Sequence, residues 1–236
     1  MEIRESNILS SEIATDLIEK NTFIRRKDII QKIENGTKRI IDIIGGITGM
    51  ILLVPMICGI YIARKINKEK GSMFFVQERI GKDGKKFKLY KFRSMVIGAD
   101  RALEEYLEKN PEAKEEYKKY KKLKNDPRIT KTGEFLRKTS IDEFPQFINI
   151  LKGEMSLVGP RPYLPREKED MGESYNTIVK CKPGLTGLWQ ISGRSDTSFE
   201  ERLELDIEYY KKRTLKEDLL ILKQTIVNVI RRKGAI

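Results

Sequence analysis

Apolar and polar positions divide the chain into stretches of different character. Between Ile43 and Ala63 no position is charged, and the run IIGGITGMILLVPMICGIYIA falls within the ~17–25 residues that a membrane helix requires. A long polar and charged stretch precedes it and no small-residue cleavage pattern follows, which excludes a cleaved secretory leader. An ordinary spanning helix is the simplest expectation. Two features point instead to a re-entrant helix. Lys38 and Arg39 flank one end and Arg64, Lys65, Lys68 and Lys70 the other, so the excess of cations places both ends on the cytoplasmic side. Pro55 lies inside the run, where a missing backbone donor and a clash with the preceding turn predict a bend.

The remaining pattern predicts shorter elements. Ile13, Leu17 and Ile18 follow a helical period that is expected to stop near Asn35-Gly36. Phe74, Phe75 and Val76 on one side, and Phe87, Leu89 and Phe92 on the other, flank Asp83-Gly84, which predicts a β-hairpin with positive φ angles in its turn. Residues 99–125 alternate charge with Leu103, Tyr106, Leu107, Tyr117, Tyr120 and Leu123, and Asn110-Pro111 divides them into two solvated helices. The stretch TSIDEFPQFINIL (139–151) predicts a further helix with Thr139 or Ser140 at its cap, Pro145 in an early turn and Gly153 as its stop. Two helices with one apolar face follow, through Leu203, Leu205, Ile207 and Tyr210 and then through Leu219, Leu220, Ile221, Ile226, Val227 and Ile230, ending in Arg231-Arg232-Lys233. Such faces suit packing on a body or lying on anionic lipid. The expected class is α+β, mainly α. It comprises an extension (1–37), a re-entrant membrane helix (38–66) and a cytoplasmic catalytic body (67–236) with interfacial amphipathic helices and a small hairpin.

Charge and composition narrow the chemistry. Lys and Arg number 47 against 35 Asp and Glu, a formal +12, which fits a phosphate-bearing partner without choosing among nucleic acid, lipid and nucleotide. Two cysteines, Cys58 and Cys181, give no disulfide framework or thiolate zinc site. The absence of histidine excludes histidine bases and nucleophile triads. Catalysis therefore falls to carboxylates, Lys, Arg, hydroxyls and a hard metal ion. Asp142-Glu143 is an adjacent carboxylate pair near a helix start, a position that capping alone would also explain. Downstream, Gly159-Pro160-Arg161-Pro162 holds an arginine between two prolines, restricted enough to present its fork to phosphate oxygens. Lys91, Arg93, Arg128, Arg137, Lys138 and Arg194 are further candidates for such contacts, each also explicable as a surface charge.

Taken together, KLYKFRSM (88–95), DPRITKTGEFLRKTSIDEFPQFINILKGEMSLVGPRP (126–162) and KPGLTGLWQISGR (182–194) resemble the bacterial sugar transferases, the monotopic phosphoglycosyl transferases. The similarity covers residues 38–236 and is greatest to the catalytic domain of undecaprenyl-phosphate galactose or glucose phosphotransferases, because of the charged insertion before Asp126 and the ending VIRRKGAI. The chain looks like that unit without the membrane helices and additional domain of larger members. The resemblance implies a helix broken at Pro55, although Val54 stands where many members carry serine. It implies that Asp142 is a covalent nucleophile and Glu143 the partner of an essential Mg²⁺, with Asp142 as the neighbouring ligand. It assigns phosphate binding to Arg161, with Arg137 matching another family arginine and Asp206, in ELDIEYY, a further family carboxylate. The implied reaction moves hexose-1-phosphate from a UDP-hexose to undecaprenyl phosphate, releasing UMP, at the cytoplasmic face of the bacterial inner membrane. Its partners are donor, acceptor and membrane lipid, with a homodimer left open.

Two other classes compete. A nucleic-acid-binding protein would share the charge, but no zinc-finger, RNP or helix-turn-helix signature accompanies it, and the apolar run would be unexplained. A membrane scaffold without catalysis would need neither the carboxylate pair nor the constrained arginine.

Overall fold

The computed structural model describes the backbone of residues 2–193 and 197–231 and the side chains from Ile29 onward within those ranges. Two compact units divide the chain, Met1–Ile41 and Asp42–Ile236. Helix α1, Glu2–Ile66, contributes to both. It passes through Asn35-Gly36 without the expected stop; a single helical glycine costs only about 1 kcal/mol relative to alanine, and helix formers on both sides outweigh it. The period around Ile13, Leu17 and Ile18 falls where side chains are not described. Among the described residues, Ile29–Ile66 is the segment long and apolar enough to cross a membrane.

Within the larger unit, α1 runs through Pro55 as one helix, with no interruption where the break was expected, and residues on both sides of the proline pack on the body. Before the proline, the Asp42 carboxylate accepts from the Ser156 hydroxyl at 2.9 Å and the Leu157 N–H at 2.8 Å. Gly49 lies so close to the Phe147 ring that a Cβ there would collide with it. After the proline, the Arg64 guanidinium donates to the carbonyls of Arg93, Lys70 and Gly71. Met50, Leu53, Met56, Ile57 and Ile60 share one apolar cluster with Phe74, Phe92, Leu136, Ile141 and Phe144. The opposite side, with Ile47, Ile51, Val54 and Ile62, is exposed.

The hairpin forms as its alternation predicts. Strands β1 (Phe74–Ile80) and β2 (Lys86–Phe92) pair antiparallel, with Phe75 opposite Lys91 and Arg79 opposite Phe87. Asp83 and Gly84 both take positive φ, and the Lys85 N–H closes the turn on the Lys82 carbonyl. The charged insertion forms α2 (Ala99–Lys109) and α3 (Pro111–Tyr120), separated at Asn110.

The stretch 139–151 departs from the expected single helix. Helix α4 (Lys131–Thr139) begins on Thr130, whose side chain accepts from the Gly133 N–H. It ends at Ser140, whose left-handed φ of 59° turns the chain into a 3₁₀ segment, Ile141–Gln146, before α5 (Phe147–Lys152). Ser140 makes no side-chain cap, and the Thr139 hydroxyl bonds back to Phe135 and Leu136, so neither residue caps with its side chain as expected. Pro145 falls in the 3₁₀ turn, where its missing N–H costs least, and Gly153 ends α5 at φ 78° as expected.

A second small sheet, which hydrophobic periodicity did not reveal, pairs β3 (Ser156–Val158) with β4 (Gly184–Thr186) in parallel. Short helices α6 (Lys168–Met171) and α7 (Ser174–Ile178) lie between them and α8 (Leu188–Ser192) follows. The long helices α9 (Phe199–Lys212) and α10 (Leu215–Ile230) close the body. The Tyr209 hydroxyl joins them through the Asp218 carboxylate at 2.7 Å.

Candidate active site

The adjacent carboxylates are presented by the 3₁₀ turn, and Asn149 clips that turn's helix to β2. Its side chain accepts from the Tyr90 N–H at 3.2 Å and donates to the Lys88 carbonyl at 2.7 Å. This brings Lys91, the next residue on β2, to the carboxylates. Its ammonium lies 2.6 Å from Glu143 and 3.9 Å from Asp142. Asp142 is buried, with 8% of its surface exposed. Burial raises its carboxyl to about 6; Lys91 and Arg137 pull it down and the Glu143 charge pushes it up. Arg137, at the end of α4, donates to the Ser94 hydroxyl at 3.0 Å. Burial lowers its pKa from the usual arginine value, opposed by the charges of Asp142, Asp126 and Glu143.

A second cluster surrounds the Pro160–Pro162 element. Gly159 donates to the Thr186 carbonyl, and a Cβ there would strike the Lys182 carbonyl. Glycine is therefore required for this segment to lie against β4. The Arg161 backbone N–H donates to the buried Asp206 carboxylate at 3.0 Å, and the Tyr163 hydroxyl donates to the same oxygen at 2.8 Å. Burial lifts Asp206 to about 7, against the pull of Tyr163 and Arg161. Asp206 thus anchors the backbone on both sides of Pro162, while the Arg161 side chain lies over the Trp189 ring, 5.2 Å from its centroid. Arg202 approaches the same ring at 5.5 Å and donates to the Tyr120 carbonyl at 3.0 Å. Arg161, Tyr163 and Pro160 line a shallow cleft with Ile80 and Cys181.

Arg79 connects the clusters electrostatically, since the charges of both Arg161 and Glu143 act on it. Of the basic candidates, Lys91 and Arg137 therefore join Asp142 and Glu143, and Arg161 joins Asp206. Arg93 is directed elsewhere, to the carbonyls of Ser72 and Phe74. Arg128 grips Asp126 in a bidentate pair at 2.7 and 2.6 Å. Lys138 pairs with Glu134 at the surface. Arg194 lies outside the described residues. Arg79, Tyr163, Trp189 and Arg202 were not among the sequence candidates. Alternation could have found Arg79, which shares the inward face of the hairpin with Lys91, Phe87 and Leu89.

No group of three or more His, Cys, Asp or Glu side chains gathers for a metal among the described residues. Asp142 and Glu143 are a smaller donor set, but one that suits Mg²⁺, which takes one or two protein carboxylates and completes its shell with phosphate oxygens and water. The Lys91 ammonium already holds a cation against both. The arrangement unites a carboxylate capable of attack with several cations that would neutralise a phosphate ester.

A profile of the bacterial sugar transferase family matches residues 33–232. The chain is 46% identical over 198 residues to the undecaprenyl-phosphate galactose phosphotransferase of Salmonella typhimurium, and 45% identical over the same length to the UDP-galactose-lipid carrier transferase of Erwinia amylovora. Each alignment covers 84% of this chain but 41% of the relative. The exopolysaccharide production protein ExoY of Sinorhizobium fredii is 41% identical over 87% of this chain and 91% of its own length. From the profile match and the ExoY alignment, which spans nearly the whole of both chains, it follows that this protein belongs to the bacterial sugar transferase family.

Proposed function

We propose that this protein transfers hexose-1-phosphate, galactose or glucose, from a UDP-sugar to undecaprenyl phosphate at the cytoplasmic face of the bacterial inner membrane, the first step in assembling an exopolysaccharide or related glycan. The observation that carries this reading is a buried carboxylate, Asp142, set beside Glu143 and Lys91 in a member of this family. An Asp142 oxygen attacks the phosphorus that bears the sugar. The new Asp142–phosphorus bond forms as the bond to the UMP oxygen breaks, and UMP leaves with that electron pair. The lipid phosphate then attacks the aspartyl phosphosugar and frees Asp142. Lys91 and Arg137 hold Asp142 as its anion, the form that attacks, while Arg161 orients phosphate oxygens. Asp142 and Glu143 would hold Mg²⁺, whose chemistry is charge neutralisation of the diphosphate.

The contacts of α1 on both sides of Pro55 support a helix that enters and leaves by one membrane face, because a straight span would carry one arm away from the body. Cysteine labelling of sites near residues 10 and 230 in intact cells tests this; external access to only one of them would restore the spanning helix. For the reaction, solubilised protein given a UDP-hexose and Mg²⁺ without lipid acceptor should gain the mass of a hexose phosphate, and Asp142→Asn should not. Absence of that adduct on rapid quenching, with intersecting initial-rate patterns, would make the lipid phosphate the direct attacker.

A further inference from the structure

Arg79 has no part in the steps above. It is nine-tenths buried on the inward face of the β1–β2 hairpin. Its Nη1 donates to the Pro162 carbonyl at 2.9 Å and its Nη2 to the Gln77 side-chain oxygen at 2.6 Å, while its buried Nε has no partner. Both acceptors are neutral. Among the described residues, no carboxylate lies within 4.0 Å of the guanidinium of Arg79 or of Arg161. Burial, and after it the Arg161 charge, lower Arg79 to about 10. A buried cation ordinarily carries a matched counter-ion, since leaving it without one is costly. Here the Glu167 and Glu143 carboxylates act on Arg79 without an ion pair, and the charge of a second guanidinium, Arg161, opposes them; planar forks with uncommitted N–H groups fit phosphate oxygens.

We propose that Arg79 and Arg161 form a phosphate subsite beside Glu143, in which phosphate oxygens accept from the uncommitted N–H groups of Arg79 and from the Arg161 fork. The inference rests on the proposed transfer only for the source of that phosphate, the donor nucleotide or the lipid acceptor. Gln77 and the Pro162 carbonyl then act as props that fix the plane of Arg79 and leave the rest of the fork available.

The test uses wild-type protein in nanodiscs, reading the arginine ¹⁵Nε–¹Hε resonances, with Arg79 assigned by its loss in Arg79→Lys. The probes are UMP, a short-chain polyprenyl phosphate and inorganic phosphate. Saturable movement of the Arg79 and Arg161 signals together with UMP supports the subsite and assigns it to the donor. The same movement with the lipid phosphate alone supports it and assigns it to the acceptor. Movement of Arg161 without Arg79, or movement only with inorganic phosphate at high concentration, overturns it. Arg79→Lys should weaken binding of the active probe by about tenfold, the scale of one charge-assisted hydrogen bond, without lowering thermal stability; weaker folding with unchanged affinity would make Arg79 a structural prop. The two proposals separate cleanly: a covalent adduct with a silent Arg79 removes the subsite and keeps the transfer, whereas a responsive Arg79 with no turnover on any UDP-sugar does the reverse.

Discussion

Arg128 and Arg79 are buried to nearly the same degree, at 8% and 9% of their surface exposed, yet their surroundings are opposite in kind. Arg128 meets Asp126 through two short bonds and reaches the Ala99 carbonyl with what remains of its fork. Burial alone would raise the Asp126 carboxyl, but the hydrogen bonds and charge of Arg128 hold it below the usual carboxylate range. Arg79 has two neutral acceptors, an orphan Nε and a neighbouring cation. The first arrangement is complete within the fold. The second leaves a buried N–H without a partner and, among the described residues, no carboxylate in contact. Burial of a charge therefore does not by itself mark a functional site; burial without internal compensation does.

The carboxylates divide in the same way, and the largest expected effect follows from that. Asp126 is held as an anion well below the usual carboxylate range by its partner, whereas burial raises Asp142 to about 6 despite Lys91, so its anion is the less stabilised of the two. Asp142→Asn should lower turnover by about 10⁴-fold or more, ~5.5 kcal/mol of barrier, because an amide is nearly isosteric but a very poor nucleophile. Turnover measured as UMP release checks this, and retention of a tenth of wild-type activity would remove Asp142 from the chemical step.

The next effect falls on stability. Arg128→Met should cost about 3–5 kcal/mol, since it strands a buried carboxylate, whereas Arg79→Met should change stability by less than about 1 kcal/mol, because it removes a cation that lacks a counter-ion. Thermal unfolding of both variants in one detergent measures the contrast. Equal losses would mean that the two arginines are both architectural.

Asp142→Asn should also stabilise the protein, and the sign follows from its raised pKa. A carboxyl at about 6 when folded, against an ordinary 3.8, contributes fully below about pH 3.8 and loses that contribution as pH rises through 6. The wild type therefore carries a buried charge at pH 8 that the amide variant lacks. The variant's advantage should be at most about 3 kcal/mol at pH 8 and fade toward zero below pH 4. Unfolding measured across that range with a chelator present checks the trend. An advantage independent of pH would assign it to packing.

Much of this division was legible in the sequence, and the reasons differ by residue. Asp142, Glu143 and Arg161 stand out because adjacency and flanking prolines are local properties. Lys91 and Arg137 could be named as cations, but what each faces is set by tertiary contacts such as the Asn149 clip, which no spacing encodes. Arg93 and Arg128 looked equivalent to them until carbonyls and Asp126 claimed their forks; for Arg128 the partner lies two residues away and was locally visible. Arg79 was not singled out, because one inward cation beside Gln77 in a short strand interrupts the apolar alternation that would have marked its face. The β3–β4 pair is too short for periodicity to register. Its place is set by the close approach of Gly159 to β4, a backbone contact that apolar patterning does not report.

The smallest effect tests fork geometry against simple charge. Arg161 keeps its backbone bond to Asp206 whatever its side chain, so Arg161→Lys should leave the fold intact and keep one positive charge near the cleft. What it removes is the planar fork and the stacking over Trp189, which orient bidentate bonds to phosphate oxygens. Turnover should fall about tenfold, the scale of 1–2 kcal/mol for a charge-assisted hydrogen bond. Arg93→Lys is the matched control, because that arginine also loses a fork, but one directed at the carbonyls of Ser72 and Phe74; its turnover per folded molecule should stay unchanged. Steady-state UMP release for the two variants decides between the sites. A loss confined to Arg93→Lys would move the phosphate grip to the base of the hairpin and return Arg161 to the loop that Asp206 anchors.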